Sequence, residues 1–344
     1  MSQGSVLLQE GRARRAAREA SARRARRRRR IRVAAMIVGS GCVALLAFMA
    51  SAATGPSTTG APGQERAPAV ATLHRPQAPD PYGAAPAPAS QRVNVRLKLA
   101  VKSGLLFDLR TGRVLWERRP TQSRPIASLT KMMTALVVVA HSRPSDRVLI
   151  TRQAVHFSGS GVGLLPLGKR VSLQVLLYGL LLPSGNDAAI ALAQHVAGTQ
   201  ARFIAMMNTR ANTMGLRCTH FTTVSGIVDQ GNHSCARDLA RLAHAVLTQR
   251  VLAPIVATRD VVLPFPIKGG KLWLYNNNPL LRVEYAGTDG VKTGFTTAAG
   301  PCLVAAARRG RAWLGVVLLH SADPSDQAQA LLNAGFAALH APAT

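Results

Sequence analysis

From Thr54 to about Gln91 the chain runs on Pro, Ala, Gly, Ser and Thr with no apolar periodicity. Such a composition cannot bury enough surface to offset the entropy of ordering it, so residues 54–91 read as an extended, disordered tether. Any packed core must come from residues 92–344, about 250 residues and ample for one large domain. Before the tether, residues 1–32 carry twelve arginines against Glu10 and Glu19, about +10 of the formal +28. Val33 to Ala53 is an uncharged, mostly apolar run of 21 residues, long enough to span a bilayer as a helix. Positive charge before that run and none after it orients the N-terminus inward. The expectation is a basic cytoplasmic tail (1–32), a transmembrane anchor (33–53) and an extracytoplasmic domain at the cell membrane. A cleaved signal peptide, with Ala50-Ser-Ala52 as its small-residue site, is the rival reading and would leave the domain secreted. The arginine block reads as a topology signal that also contacts anionic lipid, not as a nucleic-acid-binding arm.

Within the domain, Leu105–Leu109 and Arg113–Trp116 around Arg110-Thr-Gly112 predict an opening hairpin. Val291, Cys302–Ala307 and Trp313–Leu319 predict adjacent strands, the last two joined by a tight turn at Arg309-Gly-Arg311. Between these ends, Leu129–Ala140, Leu173–Leu182, Ala188–Val196, Arg202–Met214 and Ala236–Leu247 have helical apolar spacing. A final helix-like run, Ala328–Leu339, precedes Thr344, and no further domain is expected after it. Strands at both ends with helices between predict an antiparallel sheet with an inserted helical region, an α+β fold.

Three short words lie on this framework in an informative order: Ser128-Leu-Thr-Lys131, Ser184-Gly-Asn186 and Lys292-Thr-Gly294. Ser128 is expected to open the first long helix, where free N–H groups favour negative charge, with Lys131 one turn on and within reach of its hydroxyl. Serine is a poor nucleophile until a base accepts its proton. Lysine can be that base only if burial and a second cation lower its pKa, and Lys292 is the candidate cation. Pro183 ends an apolar helix, which places Ser184 and Asn186 on an inter-helix loop. There Ser184 can relay a proton from Lys131 to a leaving amine. The Asn186 amide can hold Lys131 through its oxygen and a substrate carbonyl through its nitrogen. A strand at Val291 offers Lys292 and the Thr293 hydroxyl to an anionic substrate end, and Gly294 admits a substrate backbone closely. The N–H groups of Ser128 and Phe295 are the candidate oxyanion hole.

The words in combination are those of active-site serine enzymes that act on penicillin and peptidoglycan stem peptides. The chain resembles the D-alanyl-D-alanine carboxypeptidases, the low-molecular-mass penicillin-binding proteins. The likeness extends through Arg124–Leu136, Gly179–Ala189, Phe203, Met207-Asn208, Met214-Gly-Leu216, Thr219-His-Phe221, Ser225-Gly226 and Ala236-Arg-Asp-Leu239. It implies a transpeptidase/β-lactamase-like fold and a serine DD-peptidase that trims stem pentapeptides and is acylated by β-lactams. The roles it transfers are Ser128 as nucleophile, Lys131 as base, Ser184 and Asn186 in relay and positioning, and Lys292 with Thr293 on the substrate carboxylate. Many relatives have an arginine soon after the last strand for that carboxylate. Here the stretch reads His320-Ser-Ala-Asp-Pro-Ser-Asp326, which throws more weight on Lys292, Thr293 and the hydroxyls of Thr296 and Thr297.

Two further readings compete. A class A serine β-lactamase has Asp between Ser and Asn and a separate deacylating glutamate, whereas Gly185 stands here and Asp187 is the only acid from residue 147 to 228. A silent wall-binding module would have little reason to keep every motif side chain. Of the four cysteines, Cys42 lies in the apolar run and Cys302 in a core strand, leaving Cys218 and Cys235 as a disulfide or as two part-buried thiols. The nine histidines show no metal-ligand spacing, no Ser sits in Gly-x-Ser-x-Gly, and no Walker loop or dinucleotide fingerprint occurs. No metal or cofactor is implied.

Overall fold

The computed structural model describes residues 86–340 except Arg96, Lys98, Leu99 and Leu164. The expected tail, the membrane segment with Cys42, and the tether before Pro86 lie outside the described residues. No helix among the described residues is long and apolar enough to cross a membrane.

Five strands form the central sheet: β1 (Val101–Asp108), β2 (Val114–Arg118), β3 (Thr288–Gly294), β4 (Cys302–Arg309) and β5 (Ala312–Ser321). Their order is β2-β1-β5-β4-β3, and each neighbouring pair is antiparallel, with Leu105 opposite Val317 and Val317 opposite Val304. The run Val316-Val-Leu-Leu319 is apolar at every position because both faces of the sheet are covered. Val317 and Leu319 face one core with Leu105, Phe107 and Val304. Val316 and Leu318 face another with Leu106, Leu303 and Ala305. Helix α6 (Pro324–His340) closes this second core with Leu331, Leu332 and Phe336.

The first core receives the helical insertion: α1 (Lys131–His141), α2 (Leu173–Leu181), α3 (Asn186–Ala197), α4 (Gln200–Thr213) and α5 (Ala236–Thr248). α1 is buried on all sides from Lys131 to Val138, as expected of a helix with almost no polar face. α5 is amphipathic and turns Leu239, Leu242, Ala243 and Val246 inward, the i, i+3, i+4, i+7 stripe.

Three expectations shift. The α-helix begins at Lys131, and Ser128 sits inside a preceding 3-10 turn, Ala127–Thr130. Asn186 is the first residue of α3 and only Ser184 remains on the loop. The domain also takes up the chain before residue 92. Pro86 bridges Val114, the Ala87 N–H donates to the Val114 carbonyl at 2.9 Å, and Ala87 is buried. A small apolar residue with a free N–H beside the β2 edge overrides the disordered composition around it.

Candidate active site

The turn that carries Ser128 is held in an uncommon shape. Ala127 has φ +48°, a conformation that a residue with a Cβ keeps only when its surroundings impose it. Those surroundings are close on two sides. Gly226, at φ +78°, packs on the Ala127 carbonyl so tightly that any Cβ there would collide with it. A Cβ on Gly294 of β3 would lie 2.9 Å from the Ile126 oxygen and 3.1 Å from the Ser128 nitrogen. The sequence assigned Gly294 to substrate approach, but its near neighbour is the nucleophile's own turn. From within, Thr130 Oγ1 donates to the Ala127 oxygen at 2.8 Å and accepts from Asn232 Nδ2 at 2.9 Å.

Lys131 is fully buried. Its Nζ lies 2.9 Å from Ser128 Oγ, 2.7 Å from Asn186 Oδ1 and 2.7 Å from the Ser225 carbonyl oxygen. Burial drives its pKa well below the lysine value, the Lys292 charge pushes it further down, and Asp187 opposes both. The geometry suits the neutral amine. Asn186 Oδ1 and the Ser225 oxygen can only accept, so a neutral amine would give them its two N–H groups and turn its lone pair to the Ser128 hydroxyl. Lys292 is buried too. It donates to the Thr293 carbonyl at 3.0 Å, and burial lowers its pKa to about 7.

The second word divides its work differently from expectation. The Asn186 oxygen holds Lys131, while its Nδ2 donates to the Ser158 carbonyl at 2.6 Å rather than pointing free at a substrate. Asp187 accepts from the N–H groups of Val162, Gly163 and Ala188 at 2.8–3.3 Å. Together these two residues pin the 158–163 loop over the site. Ser184, at φ +68°, is not bonded to Lys131, and its buried Oγ has no hydrogen-bond partner among the described residues. A buried hydroxyl left open is costly and marks a place where a ligand or water completes the network.

On β3 and beyond, Phe295 is 68% exposed at the rim. Thr296, expected to help with a carboxylate, donates its hydroxyl to Asp229 Oδ1 at 2.7 Å and accepts from the Ala299 N–H. That contact ties the strand to the 226–231 loop. Cys218 and Cys235 form a disulfide, with Cα atoms 5.7 Å apart. The segment they close carries Ser225, Gly226, Asp229 and Asn232, so four contacts on the nucleophile turn, the base and the β3 exit come from one looped segment. Sequence reading missed these four as a set. The Cys pair that brackets Ser225-Gly226 was the available signal, and so was the Ser158-Gly-Ser-Gly-Val-Gly163 run for the loop over Asn186.

A serine whose hydroxyl faces a buried lysine with a lowered pKa, at the junction of a helical region and the edge of an antiparallel sheet, defines the class of active-site serine acyl-transfer enzymes. The particular family follows from comparison: the family model described as D-alanyl-D-alanine carboxypeptidase matches residues 89–322, and the chain belongs to that family. It is 32% identical over 231 residues to D-alanyl-D-alanine carboxypeptidase DacF of Bacillus subtilis, covering 66% of this chain and 59% of that protein. It is 35% identical over 275 residues to the D-alanyl-D-alanine carboxypeptidase of Streptomyces sp. strain K15, covering 74% and 92%. The crystal structure of the Streptomyces K15 DD-transpeptidase superposes with a TM-score of 0.66 at 33% identity, over 71% of this chain and all of that one. The chain thus spans about three fifths of DacF but most of the strain K15 enzyme.

Proposed function

We propose that this protein is a serine D-Ala-D-Ala carboxypeptidase that trims peptidoglycan stem pentapeptides. The Ser128 oxygen attacks the carbonyl carbon of the penultimate D-Ala while neutral Lys131 takes its proton. The oxyanion that forms lies against the N–H groups of Ser128 and Phe295. On collapse the C–N bond breaks, and the proton passes from Lys131 through the Ser184 hydroxyl to the amine of the departing D-Ala. Lys292 and Thr293 face the terminal carboxylate, and water then hydrolyses the ester on Ser128. The observation that carries this reading is the 2.9 Å approach of Lys131 Nζ to Ser128 Oγ, with both other amine contacts made to acceptors.

β-Lactams would acylate the same serine. Asp187 has its carboxylate committed to three backbone N–H groups and cannot turn to activate water, so the penicilloyl ester persists. The domain acts outside the cytoplasm, held to the cell membrane through residues 33–53. The charge asymmetry about that segment supports this placement.

One experiment tests both parts. Membranes and supernatant from expressing cells are labelled with fluorescent penicillin, and D-Ala release from a stem pentapeptide is followed. Label should sit on the membrane-bound chain, decay slowly, and vanish in Ser128→Ala, whose stability should change by no more than about 0.5–1 kcal/mol. Label on Ser184, retained label in Ser128→Ala, or absence of D-Ala release would overturn the enzymatic assignment. Recovery of all label in the supernatant would overturn the anchor.

A further inference from the structure

An exposed aromatic stripe leads into the site from one side. The antiparallel hairpin Asp260–Pro264/Lys271–Tyr275 turns Leu272 and Leu274 into the core. Its outer face pairs Asp260 with Tyr275, Val262 with Trp273 and Pro264 with Lys271. Trp273 is 61% exposed, Tyr275 60% and Val262 41%, an apolar patch rimmed by charge that a rigid, core-anchored sheet holds toward solvent. The alternation continues past the strand. Asn276 is buried, while Asn277 is exposed, and its Nδ2 donates to the Pro183 carbonyl at 3.1 Å as its N–H donates to Leu182. The outward series Trp273, Tyr275, Asn277 therefore ends on the loop that presents Ser184.

We propose that this stripe binds the glycan backbone that carries the stem peptide, a β-linked chain of N-acylated hexosamines. The inference rests on the carboxypeptidase reading and adds a second binding site to it. Pyranose rings present flat C–H faces that stack on exposed aromatic rings, and Lys271 at one end with the Arg259–Asp260 pair at the other offers partners for hydroxyl and acetamido groups. The stem peptide joins the two sites: its D-Ala end would lie at Ser128 and its sugar-linked end would lead away along the face that Asn277 ties to the Ser184 loop.

The test compares D-Ala release by the full-length chain in detergent from free pentapeptide and from the same peptide on a glycan oligomer. Trp273→Ala and Tyr275→Ala should each lose about tenfold in kcat/KM on the glycan-linked substrate, as expected for one stacking contact. Release from the free peptide and penicillin acylation should not change. Equal loss on both substrates, or no loss on either, overturns the proposal. Co-sedimentation of peptide-free glycan strands with the Ser128→Ala chain gives a readout independent of catalysis. Wild-type stripe residues should retain it and Trp273→Ala should reduce it, even if the enzymatic reading fails. Quenching of Trp273 emission by brominated phosphatidylcholine in reconstituted vesicles, with glycan selectivity unchanged in Trp273→Ala, would identify a membrane contact instead.

Discussion

At the scale of single residues, the two lysines divide the chemistry by charge. In the proposed reaction Lys131 acts as a base only when neutral, and Lys292 attracts a carboxylate only when protonated. The positive charge of Lys292 is one of the two causes that lower the Lys131 pKa. Lys292→Ala removes that cause, so Lys131 holds its proton to higher pH and the acid limb of the acylation profile moves up. The plateau kcat/KM on pentapeptide should also fall by about 10- to 100-fold through loss of one charge-assisted contact. A pH series of penicillin acylation and D-Ala release checks both, and an unmoved acid limb would mean that the lysines are uncoupled. For stability the sign is fixed by the same group. Lys292 titrates at about 7 in the fold against 10.5 ordinarily. Between those values the unfolded chain binds the extra proton, so stability from this residue rises with pH across that window and levels off above it.

At the scale of elements, the site depends on close backbone approach as much as on side chains. Gly226→Ala would force a Cβ into the Ala127 carbonyl at a positive φ. It should cost about 1–3 kcal/mol of stability, read from denaturant unfolding, and slow acylation as the nucleophile turn shifts. A control at Gly310, a turn glycine whose added Cβ meets nothing within 4 Å, should leave acylation unchanged. Much of this architecture was legible from the sequence. Apolar periodicity placed the helices, and the opening and closing hairpins followed from turn residues and β-rich runs. The Ser-x-x-Lys word implied the Ser128–Lys131 contact because both residues lie within one turn. What stayed hidden is long-range. The Ser225 carbonyl on Lys131, the Asp187 grip on the 158–163 loop and the Thr296–Asp229 bond join segments 24 to 94 residues apart. No local pattern encodes a backbone carbonyl as a ligand. Ser128 fell one turn outside the α-helix because apolar spacing does not separate a 3-10 turn from the helix it precedes.

At the scale of the whole molecule, a sheet buried on both faces lets one side of the domain carry stability while the other carries chemistry. α6 covers the second core, away from the side where α1 and the catalytic loops pack. Reduction of Cys218–Cys235, separated by 17 residues, should lower the unfolding free energy by about 3 kcal/mol, measured by denaturant melts with and without reductant. Penicillin acylation by the reduced but still folded protein should fall as well. Loss of stability without any loss of acylation rate would show that the loop keeps its grip unaided.

That disulfide also sets an order of events in the life of the chain. The covalent loop brackets Ser225, whose carbonyl accepts from Lys131, so if acylation falls on reduction, the amine is fully aimed only after two thiols have been oxidised. A chain newly made in a reducing cytoplasm would hold its serine and lysine near each other but loosely. Oxidation of the two thiols would fasten them. Catalytic competence would then follow the redox state of the chain's surroundings.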